Sequence, residues 1–157
     1  MKIRPLFAHD RSLLAALLAR IDDFAQADQA LAMELIDFSI DNPNQKDYLF
    51  HLAVNEDNLP VGYACFGPTP LTEGTYDLYW IAVDQAFTGQ GIGTRLMQAV
   101  EQSVCERQGR MLLIETSSDE KFEPARDFYL KTGYILVETI HDFYRPGEDR
   151  VTYAKRF

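Results

Sequence analysis

The chain has 157 residues and a formal net charge of −9, and it is 46% hydrophobic and 25% charged. That length and balance predict one folded domain, residues 1–157, rather than a disordered chain. DNA and RNA binders usually carry a basic surface that neutralises phosphates, so the acidic balance argues against a nucleic-acid partner. No apolar run approaches the roughly 20 residues of a membrane-spanning helix, so no membrane partner is expected.

Residues 1–11 lack the apolar stretch and small-residue cleavage site of a secretory signal, so a cytoplasmic location is expected. Cys65 and Cys105 are far apart, without ligand-like spacing, and are predicted to be reduced, buried thiols. The three histidines stand alone in the sequence. No catalytic metal is therefore expected.

The first third of the chain predicts a short strand and two helices. The strand covers residues 2–6, and Asp10 is predicted to cap a helix that runs to about Ile21. A second helix is predicted at about 27–40 and ends before Pro43, because the residue before proline avoids helical backbone. Its predicted buried face consists of Leu31, Leu35, Ile36 and Ile40.

From residue 48 the hydrophobic period becomes that of strands. Residues 48–54 and 61–66 flank a polar turn and are predicted to pair antiparallel. Residues 76–83 form a continuous apolar run, typical of a central strand buried on both faces. A helix at about 91–107 follows, with apolar residues four apart: Ile92, Leu96, Val100 and Val104.

A strand at 111–114, a short helix at about 124–131 and two last strands at 134–144 and 150–156 complete the chain. The last two strands flank Arg-Pro-Gly-Glu-Asp, a strong hairpin signal. The resulting order β-α-α-β-β-β-α-β-α-β-β predicts an α/β fold, with a mixed sheet and helices packed on its faces.

The most informative segment is the turn between the central strand and the next helix, where Gly89, Gly91 and Gly93 alternate. Glycine lets the backbone turn sharply and approach a ligand closely. A helix N-terminus adds unpaired amides and partial positive charge, which together hold an anion such as a pyrophosphate. A dinucleotide fingerprint would need glycine in place of Leu96, and the Gly-Lys-Ser/Thr of a P-loop is absent. A tight turn without a ligand remains the alternative.

Residues 83–96 resemble the acetyl-coenzyme A motif of the GNAT superfamily of N-acetyltransferases, a strand followed by (Arg/Gln)-x-x-Gly-x-(Gly/Ala) and a helix. Gln-Gly-Ile-Gly at 90–93 supplies both glycines, but Thr88 stands where the family has its leading Arg or Gln. Residues 125–134 are similar to the family's Ala-x-x-Phe-Tyr-x-x-x-Gly-Phe segment, with Phe122 where asparagine is frequent. Together the two motifs predict the GNAT fold.

The resemblance implies that acetyl-coenzyme A is a co-substrate held mostly by backbone groups. Strand residues would pair with the pantetheine arm, in a slot that the family opens by splaying the neighbouring strand away, and the glycine turn would hold the pyrophosphate. The predicted contacts are Ile81, Ala82, Val83, Thr88, Gly89, Gln90, Gly91, Ile92, Gly93, Thr94, Ser117, Phe128 and Tyr129.

Tyr129 occupies the position of the family's general acid, and a phenol with a pKa of about 10 can give a proton to a thiolate. The alternative is that Tyr129 is only a core residue. Asp77 is the candidate base, because a charge among aromatic residues is costly unless it is paired, hydrated or useful. The resemblance supports this, since many members carry a carboxylate on this strand to relay the amine's proton through water. Glu115 and water alone remain alternatives.

These features predict an acyltransferase that moves an acetyl group from acetyl-coenzyme A to a primary amine by direct attack in a ternary complex. The amine belongs to a small molecule or to a peptide or protein, and residues 141–149 resemble the hairpin of members that acetylate peptide or protein amino groups. The alternative is a non-catalytic acyl-coenzyme A sensor or interaction module, which the loss of Arg/Gln at Thr88 fits. A homodimer is left open.

An acidic stretch in the first half of the chain predicts a preference for cationic amines. In the family that the chain resembles, the amine enters between the first two helices and the final hairpin. Acids at that entrance would speed the capture of a cation. A solvated acidic face is the alternative. The acids are Asp22, Asp23, Asp28, Glu34, Asp37, Asp41, Asp47, Glu56 and Asp57.

Overall fold

The computed structural model describes residues 1–21 and 26–157. Three short 3₁₀ helices, at Ala8–Asp10, Gln85–Phe87 and Glu120–Phe122, lie in the connections. The predicted order of the main helices and strands is confirmed. These are β1 (Lys2–Pro5), α1 (Arg11–Ala19), α2 (Gln26–Asp41), β2 (Leu49–Val54), β3 (Pro60–Pro68), β4 (Thr75–Val83), α3 (Ile92–Glu106), β5 (Met111–Ser117), α4 (Glu123–Lys131), β6 (Ile135–Arg145) and β7 (Glu148–Arg156).

The strands form one seven-stranded sheet in the order β1-β2-β3-β4-β5-β7-β6. β4 and β5 run parallel, and every other neighbouring pair is antiparallel. This is the mixed α/β sheet that the sequence predicted. Among the helices that the structure describes, none combines the length and apolarity needed to cross a bilayer.

Each face of the sheet carries its own apolar core. The core under α3 and α4 includes the whole predicted stripe of α3, from Ile92 to Val104, and the core under α1 and α2 includes Leu14, Leu17 and Leu18. Burial of these side chains is the main stabilising term, at roughly 1.5–3 kcal/mol for each large aliphatic residue. The sheet therefore separates the molecule into an α3–α4 side and an α1–α2 side.

Asp10 does not cap α1 with its side chain, so that prediction was wrong. Its buried carboxylate instead accepts hydrogen bonds from Arg4 Nη1 at 2.7 Å, from Arg4 Nη2 at 2.8 Å and from the Phe7 amide at 2.9 Å. A bidentate guanidinium satisfies a buried carboxylate better than one backbone amide does. These bonds hold the pKa of Asp10 below its usual value although burial alone would raise it.

Two further side chains are more exposed than the sequence predicted. Leu31 is exposed, because the buried stripe of α2 is centred on Ala32 and Ile36. Cys65 is a buried free thiol as expected, but Cys105 is an exposed one. Cys105 follows Val104, the last member of the buried α3 stripe, and so points away from the sheet.

A β-bulge in β4 turns part of the strand toward the α1–α2 side. Leu78 pairs with Phe66 and Trp80 with Cys65, so Tyr79 is an extra residue in the ladder. As a result Tyr79 and Trp80 both pack against the α1–α2 core, although neighbouring residues of a regular strand face opposite sides.

Candidate active site

β4 and β5 separate beside the bulge. Their parallel pairing ends at Leu78 and Ile114, although β4 continues to Val83 and β5 to Ser117. The backbone of residues 79–83 therefore has β3 on one side and an opening on the other. An extended chain can add to such an edge through main-chain hydrogen bonds. The opening contains Ile81, Ala82 and Val83, the residues predicted to contact a pantetheine arm.

The N-terminus of α3 presents free amides beside this opening. The first helical hydrogen bond runs from the Arg95 amide to the Gly91 carbonyl at 3.1 Å. The amides of Ile92, Gly93 and Thr94 precede it and lack helical acceptors, and they stand at the positive end of the helix dipole. A helix end of this kind can bind an anion, and the pyrophosphate contact of this turn stays a prediction.

Gly89 and Gly91 shape the turn before α3. Their φ angles are 76° and 75°, in the left-handed region that side chains with a Cβ rarely adopt. A Cβ built on either residue would meet no atom within 4 Å. The space over the turn is therefore open, and an anion can approach the backbone closely only while that space stays free of side chains.

Asp84 fixes the start of the turn. Its carboxylate accepts a hydrogen bond from the Ala86 amide at 3.1 Å and forms an ion pair at 2.9 Å with Arg20, the residue that follows α1. These contacts hold the pKa of Asp84 below its usual value, with the backbone hydrogen bond as the largest cause. Thr88 closes the 3₁₀ turn by donating its hydroxyl to the Gln85 carbonyl at 2.9 Å. The Thr88 hydroxyl is thus used inside the turn, and Gln90 lies on the exposed surface beyond it.

α4 packs against the turn and is tied to β5. A Cβ on Gly93 would lie 3.6 Å from the ring of Phe128, so the helices meet at ordinary van der Waals distance. Arg126 Nη1 donates to the carbonyls of Ser117 and Asp119 at 2.7 and 2.8 Å. These bonds fix the position of α4, and of Tyr129 three residues later, relative to the end of β5.

Tyr129 is buried on the α3–α4 side. Its ring centroid lies 5.8 Å from that of Phe128, 5.9 Å from that of Tyr153 and 6.5 Å from that of Tyr134. Burial, with a smaller contribution from Tyr153, raises the pKa of Tyr129 to about 12. The phenol is therefore protonated throughout the physiological range.

Asp77 lies on the α1–α2 side within the still-paired part of β4, opposite Leu113. Its carboxylate accepts a hydrogen bond from the Thr69 hydroxyl at 2.6 Å, and its charge contributes to raising the pKa of Tyr79 to about 12, after burial. Asp77 is therefore directed toward the β3 side of the strand.

Glu115 lies one residue past the last β4–β5 pair, on the same face as Asp77, and is exposed at the opening. Arg150 of β7 holds it loosely, with Nη1 3.8 Å from Glu115 Oε2, and holds Glu138 of β6 more closely at 3.0 Å. The Arg150 guanidinium also stacks on the Phe143 ring, 4.7 Å from its centroid. Arg150 of β7 therefore connects β5 and β6 at the rim of the opening.

The closing hairpin bulges over this rim. Ile140 pairs with Arg150 and Arg145 with Glu148, so residues 141–144 face the single residue Asp149. The Asp149 carboxylate holds the bulge by accepting from the Asp142 amide and by contacting His141 Nδ1, both at 2.9 Å.

Tyr144, on this bulge, is affected by charged residues from several helices and strands. Burial is the main cause of its raised pKa, and the charges of Glu115, Glu148 and Asp28 add to it. Asp28 thus connects the predicted acidic stretch to the hairpin. Other members lie elsewhere: Asp37 pairs with Arg11 at 2.6 Å, and Asp22 and Asp23 fall outside the described residues.

Ser117 lies at the end of β5, but its hydroxyl is already engaged. It donates to Glu148 Oε1 at 2.6 Å and accepts from the Asp119 amide at 3.0 Å. Thr152, opposite Glu115 on β7, has a buried hydroxyl without a hydrogen-bond partner in the described structure. Within residues 1–21 and 26–157, no cluster of three His, Cys, Asp or Glu side chains could hold a metal ion.

Several parts of the site escaped the sequence prediction. The bulge at Tyr79, the Arg150 contacts and the Asp149-held hairpin bulge all depend on strand register. The single available signal was the hairpin sequence itself, which indicated a turn but not where its side chains would lie.

The sequence profile described as the Acetyltransferase (GNAT) family matches residues 14–134. A crystal structure from Desulfovibrio desulfuricans assigned to this family is 35% identical, with a TM-score of 0.94 over 99% of this chain and 98% of that chain. An aminoglycoside 6′-N-acetyltransferase crystallised with coenzyme A is 20% identical, with a TM-score of 0.74 over 99% and 97%. At that identity the likeness is one of fold.

N-alpha-acetyltransferase 30 of Schizosaccharomyces pombe (strain 972) is 30% identical over 73 residues, 46% of this chain and 47% of that protein. The match thus spans about half the length of this curated relative. The fold is that of the GNAT acetyltransferases. Because the profile matches well over half of the chain, the protein belongs to the GNAT family of acetyltransferases.

Proposed function

We propose that this protein transfers the acetyl group of acetyl-coenzyme A to a primary amine by direct attack in a ternary complex. The observation that carries the proposal is the opening between β4 and β5 beside the free amides of α3. Tyr129 lies buried in the core on the α3–α4 side of the sheet, and Glu115 is exposed on the α1–α2 side just past the last β4–β5 pair. A donor and an acceptor can therefore meet there from opposite sides of the sheet.

In this proposal the backbone of Ile81, Ala82 and Val83 binds the pantetheine arm as an added strand, and the amides of residues 89–94 hold the pyrophosphate. Phe128 packs along the arm from α4, while Thr88, Gln90 and Ser117 border it. Acetyl-coenzyme A supplies the acetyl group as a thioester. The loss of the family's Arg or Gln at Thr88 removes one side-chain contact but leaves the backbone amides.

Tyr129 supplies a proton from its hydroxyl to the departing sulfur. A pKa of about 12 means that the proton is present at every working pH. Tyr129 is 7% exposed and packs among the rings of Phe128, Tyr134 and Tyr153, so little solvent competes for its hydroxyl.

The amine must lose a proton before it can attack. Glu115 is placed at the opening and exposed to water, whereas Asp77 is held by Thr69. We therefore propose Glu115 as the base that accepts the proton of the amine through a bridging water molecule. Asp77 is retained as the second candidate. Glu115→Gln and Asp77→Asn are a matched pair. The variant that shifts the acidic limb of the kcat/KM profile identifies the base.

The acceptor enters from the α1–α2 side, past Asp28, Tyr144 and Glu115. These groups favour a cationic amine, of a small molecule or a peptide N-terminus. The kcat/KM of a cationic amine should fall by about tenfold between low and high salt, while that of a neutral amine stays nearly constant. An equal salt response for both amines would rule out electrostatic capture.

The experiment that tests the proposed function is coenzyme A release by the purified protein with a panel of small amines and short peptides. Turnover above the amine-free rate is expected for at least one acceptor. Acetyl-coenzyme A binding without turnover on any acceptor would instead support the acyl-coenzyme A-binding module.

A further inference from the structure

An ion pair on the α3–α4 side joins α3 to β7. Lys155 Nζ donates to both carboxylate oxygens of Glu101, at 2.9 and 3.0 Å. The two side chains are 29% and 18% exposed, so solvent and salt screen this pair less than an ion pair on the open surface. Neither residue belongs to the turn before α3 or to the opening between β4 and β5. The proposed reaction therefore gives this ion pair no direct role.

Tyr134 connects the ion pair to the ring of Tyr129. The Tyr134 hydroxyl donates to Glu101 Oε1 at 3.0 Å, and Lys155 Nζ lies 5.5 Å from the centroid of the Tyr134 ring. This ring is 2% exposed and meets the ring of Tyr129 edge to face, with centroids 6.5 Å apart. Burial and the charge of Glu101 raise the pKa of Tyr134, so its hydroxyl keeps the proton that it donates. The ion pair thus holds a ring that packs against Tyr129.

The ion pair also holds the backbone at the end of α4. Lys155 Nζ donates a further hydrogen bond to the Thr132 carbonyl at 3.1 Å, so all three ammonium donors are used. The Thr132 hydroxyl donates to the Tyr129 carbonyl at 3.1 Å, and the same carbonyl accepts from the Tyr134 amide at 3.0 Å. Tyr129 is therefore connected, through its ring and through its carbonyl, to residues that Lys155 and Glu101 hold in place.

Glu101 lies on the helix whose N-terminus is proposed to bind the pyrophosphate. About two turns of α3, or roughly 10 Å, separate Glu101 from Thr94. Contacts that hold the end of α4 against α3 therefore fix Tyr129 relative to the helix that would hold the cofactor. This placement matters, because displacement of a catalytic group by about 1 Å can lower a rate by roughly 100-fold.

We propose that Lys155, Glu101 and Tyr134 are positioning residues for the general acid Tyr129. They touch neither acetyl-coenzyme A nor the amine, and they act by fixing where the Tyr129 hydroxyl lies. This role rests on the proposed acetyl transfer, in which Tyr129 gives its proton to the departing sulfur. Part of kcat should therefore depend on an ion pair that the reacting groups do not contact.

Steady-state kinetics of the full chain test the proposal. Lys155→Met should lower kcat by about 10- to 100-fold, while the KM of the amine and the Kd of acetyl-coenzyme A change by less than about threefold. In a Tyr129→Phe background the same substitution should lower kcat by less than about twofold, because no acid remains to be positioned. Lys131→Met is the matched control, since it removes the same charge from the exposed end of α4 and should leave kcat unchanged.

Two substitutions of Glu101 give a conservative and a disruptive version of the same change. Glu101→Gln keeps an oxygen that can accept from Tyr134 and Lys155, so kcat should stay within about threefold of wild type. Glu101→Leu removes both contacts and should lower kcat as much as Lys155→Met. Circular dichroism melting checks that each variant is folded. If Lys155→Met unfolds, Tyr134→Phe takes its place, because it removes a single hydroxyl, with an expected fall in kcat of about threefold to tenfold.

Nuclear magnetic resonance reports on Tyr129 without any acetyl transfer. In the proton–carbon spectrum of tyrosine-labelled protein, the ring signal of Tyr129 is identified by its absence in Tyr129→Phe. That signal should shift or broaden in Lys155→Met, because the neighbouring Tyr134 ring loses part of its support. It should stay unchanged in the Lys131→Met control.

Three results would overturn the proposed positioning role. The first is a folded Lys155→Met that keeps the wild-type kcat, and the second is an equal loss of kcat in the Tyr129→Phe background, which would show a purely structural role. The third is a fully active Tyr129→Phe, which would leave acetyl transfer itself intact. If no amine releases coenzyme A from the wild-type chain, the proposed function fails separately. The ring signal then decides, since an unchanged signal in Lys155→Met would show that the ion pair does not fix Tyr129.

Discussion

The two sides of the β4–β5 opening are built differently. The α3–α4 side uses a continuous turn of backbone amides and one buried tyrosine. The α1–α2 side is assembled from side chains that come from five separate helices and strands: Asp28, Asp77, Glu115, Tyr144 and Arg150. The proposed cofactor side therefore depends on local backbone geometry, and the proposed acceptor side depends on charges that only the complete sheet brings together.

This difference predicts two kinds of sensitivity. Changes of backbone shape on the α3–α4 side should abolish acetyl-coenzyme A binding, whichever acceptor is present. Changes of charge on the α1–α2 side should alter the acceptor's kinetics and leave cofactor binding intact.

The largest effect is expected from Gly91→Val. Its Cβ would occupy the open space above the turn, and acetyl-coenzyme A affinity should fall by at least about 100-fold as the backbone approach is blocked. Gly147→Val is the control, since Gly147 has a similar φ of 83° and open space but lies in the β6–β7 turn. Both variants should lose similar stability, about 1–2 kcal/mol from backbone strain. Isothermal titration should show lost binding for Gly91→Val alone; equal affinities would place the pyrophosphate elsewhere.

Tyr129→Phe should lower kcat by about 10- to 1000-fold while the Kd for acetyl-coenzyme A changes little, because only the proton donor is removed. Tyr153→Phe removes a hydroxyl from the neighbouring ring and should be nearly silent. With a pKa of about 12, Tyr129 should cause no alkaline loss of wild-type activity below about pH 11. Full activity of Tyr129→Phe would show that Tyr129 is not the general acid.

Arg150→Met should affect the acceptor alone. Without the guanidinium, Glu115 and the Phe143 ring lose the group that both of them contact. The kcat/KM for the amine should therefore fall by about tenfold, mainly through a higher KM. Arg150→Lys keeps the charge but not the planar stacking, so it should recover part of the loss. If acetyl-coenzyme A affinity falls as much as amine affinity, the two sides are not separable.

The smallest effect concerns His51 of β2, which lies on the α3–α4 side of the sheet away from the opening and contacts Ser103 of α3 at 2.8 Å. Burial, assisted by Arg107, lowers the pKa of His51. The unfolded chain takes up a proton near pH 6.5, so the stability from neutral His51 is present above that pH and is lost as pH falls through the folded pKa. As the pH falls from 6.5 to 5, the Tm of His51→Gln should fall by roughly 2 °C less than the Tm of the wild type. If the Tm of both proteins falls equally with pH, groups other than His51 cause the acid sensitivity.

The same contrast explains what the sequence could predict. Helix and strand order followed from hydrophobic period, and the Gly89–Gly91–Gly93 turn could be located because a backbone device is local in sequence. Residues such as Arg150 and Glu138 could not be connected in advance, because a one-residue change of register would place them on the opposite face. Asp10 shows a different limit, since the sequence did not indicate that Arg4 of β1 would bind its carboxylate in place of the expected cap.

The central claim is that the α3 turn binds acetyl-coenzyme A, and calorimetric titration of the wild-type chain tests it most directly. We expect one site per chain and a stabilisation of about 2.7 kcal/mol at a free ligand concentration 100 times the Kd. The absence of both a binding heat and a rise in Tm at millimolar acetyl-coenzyme A would contradict it.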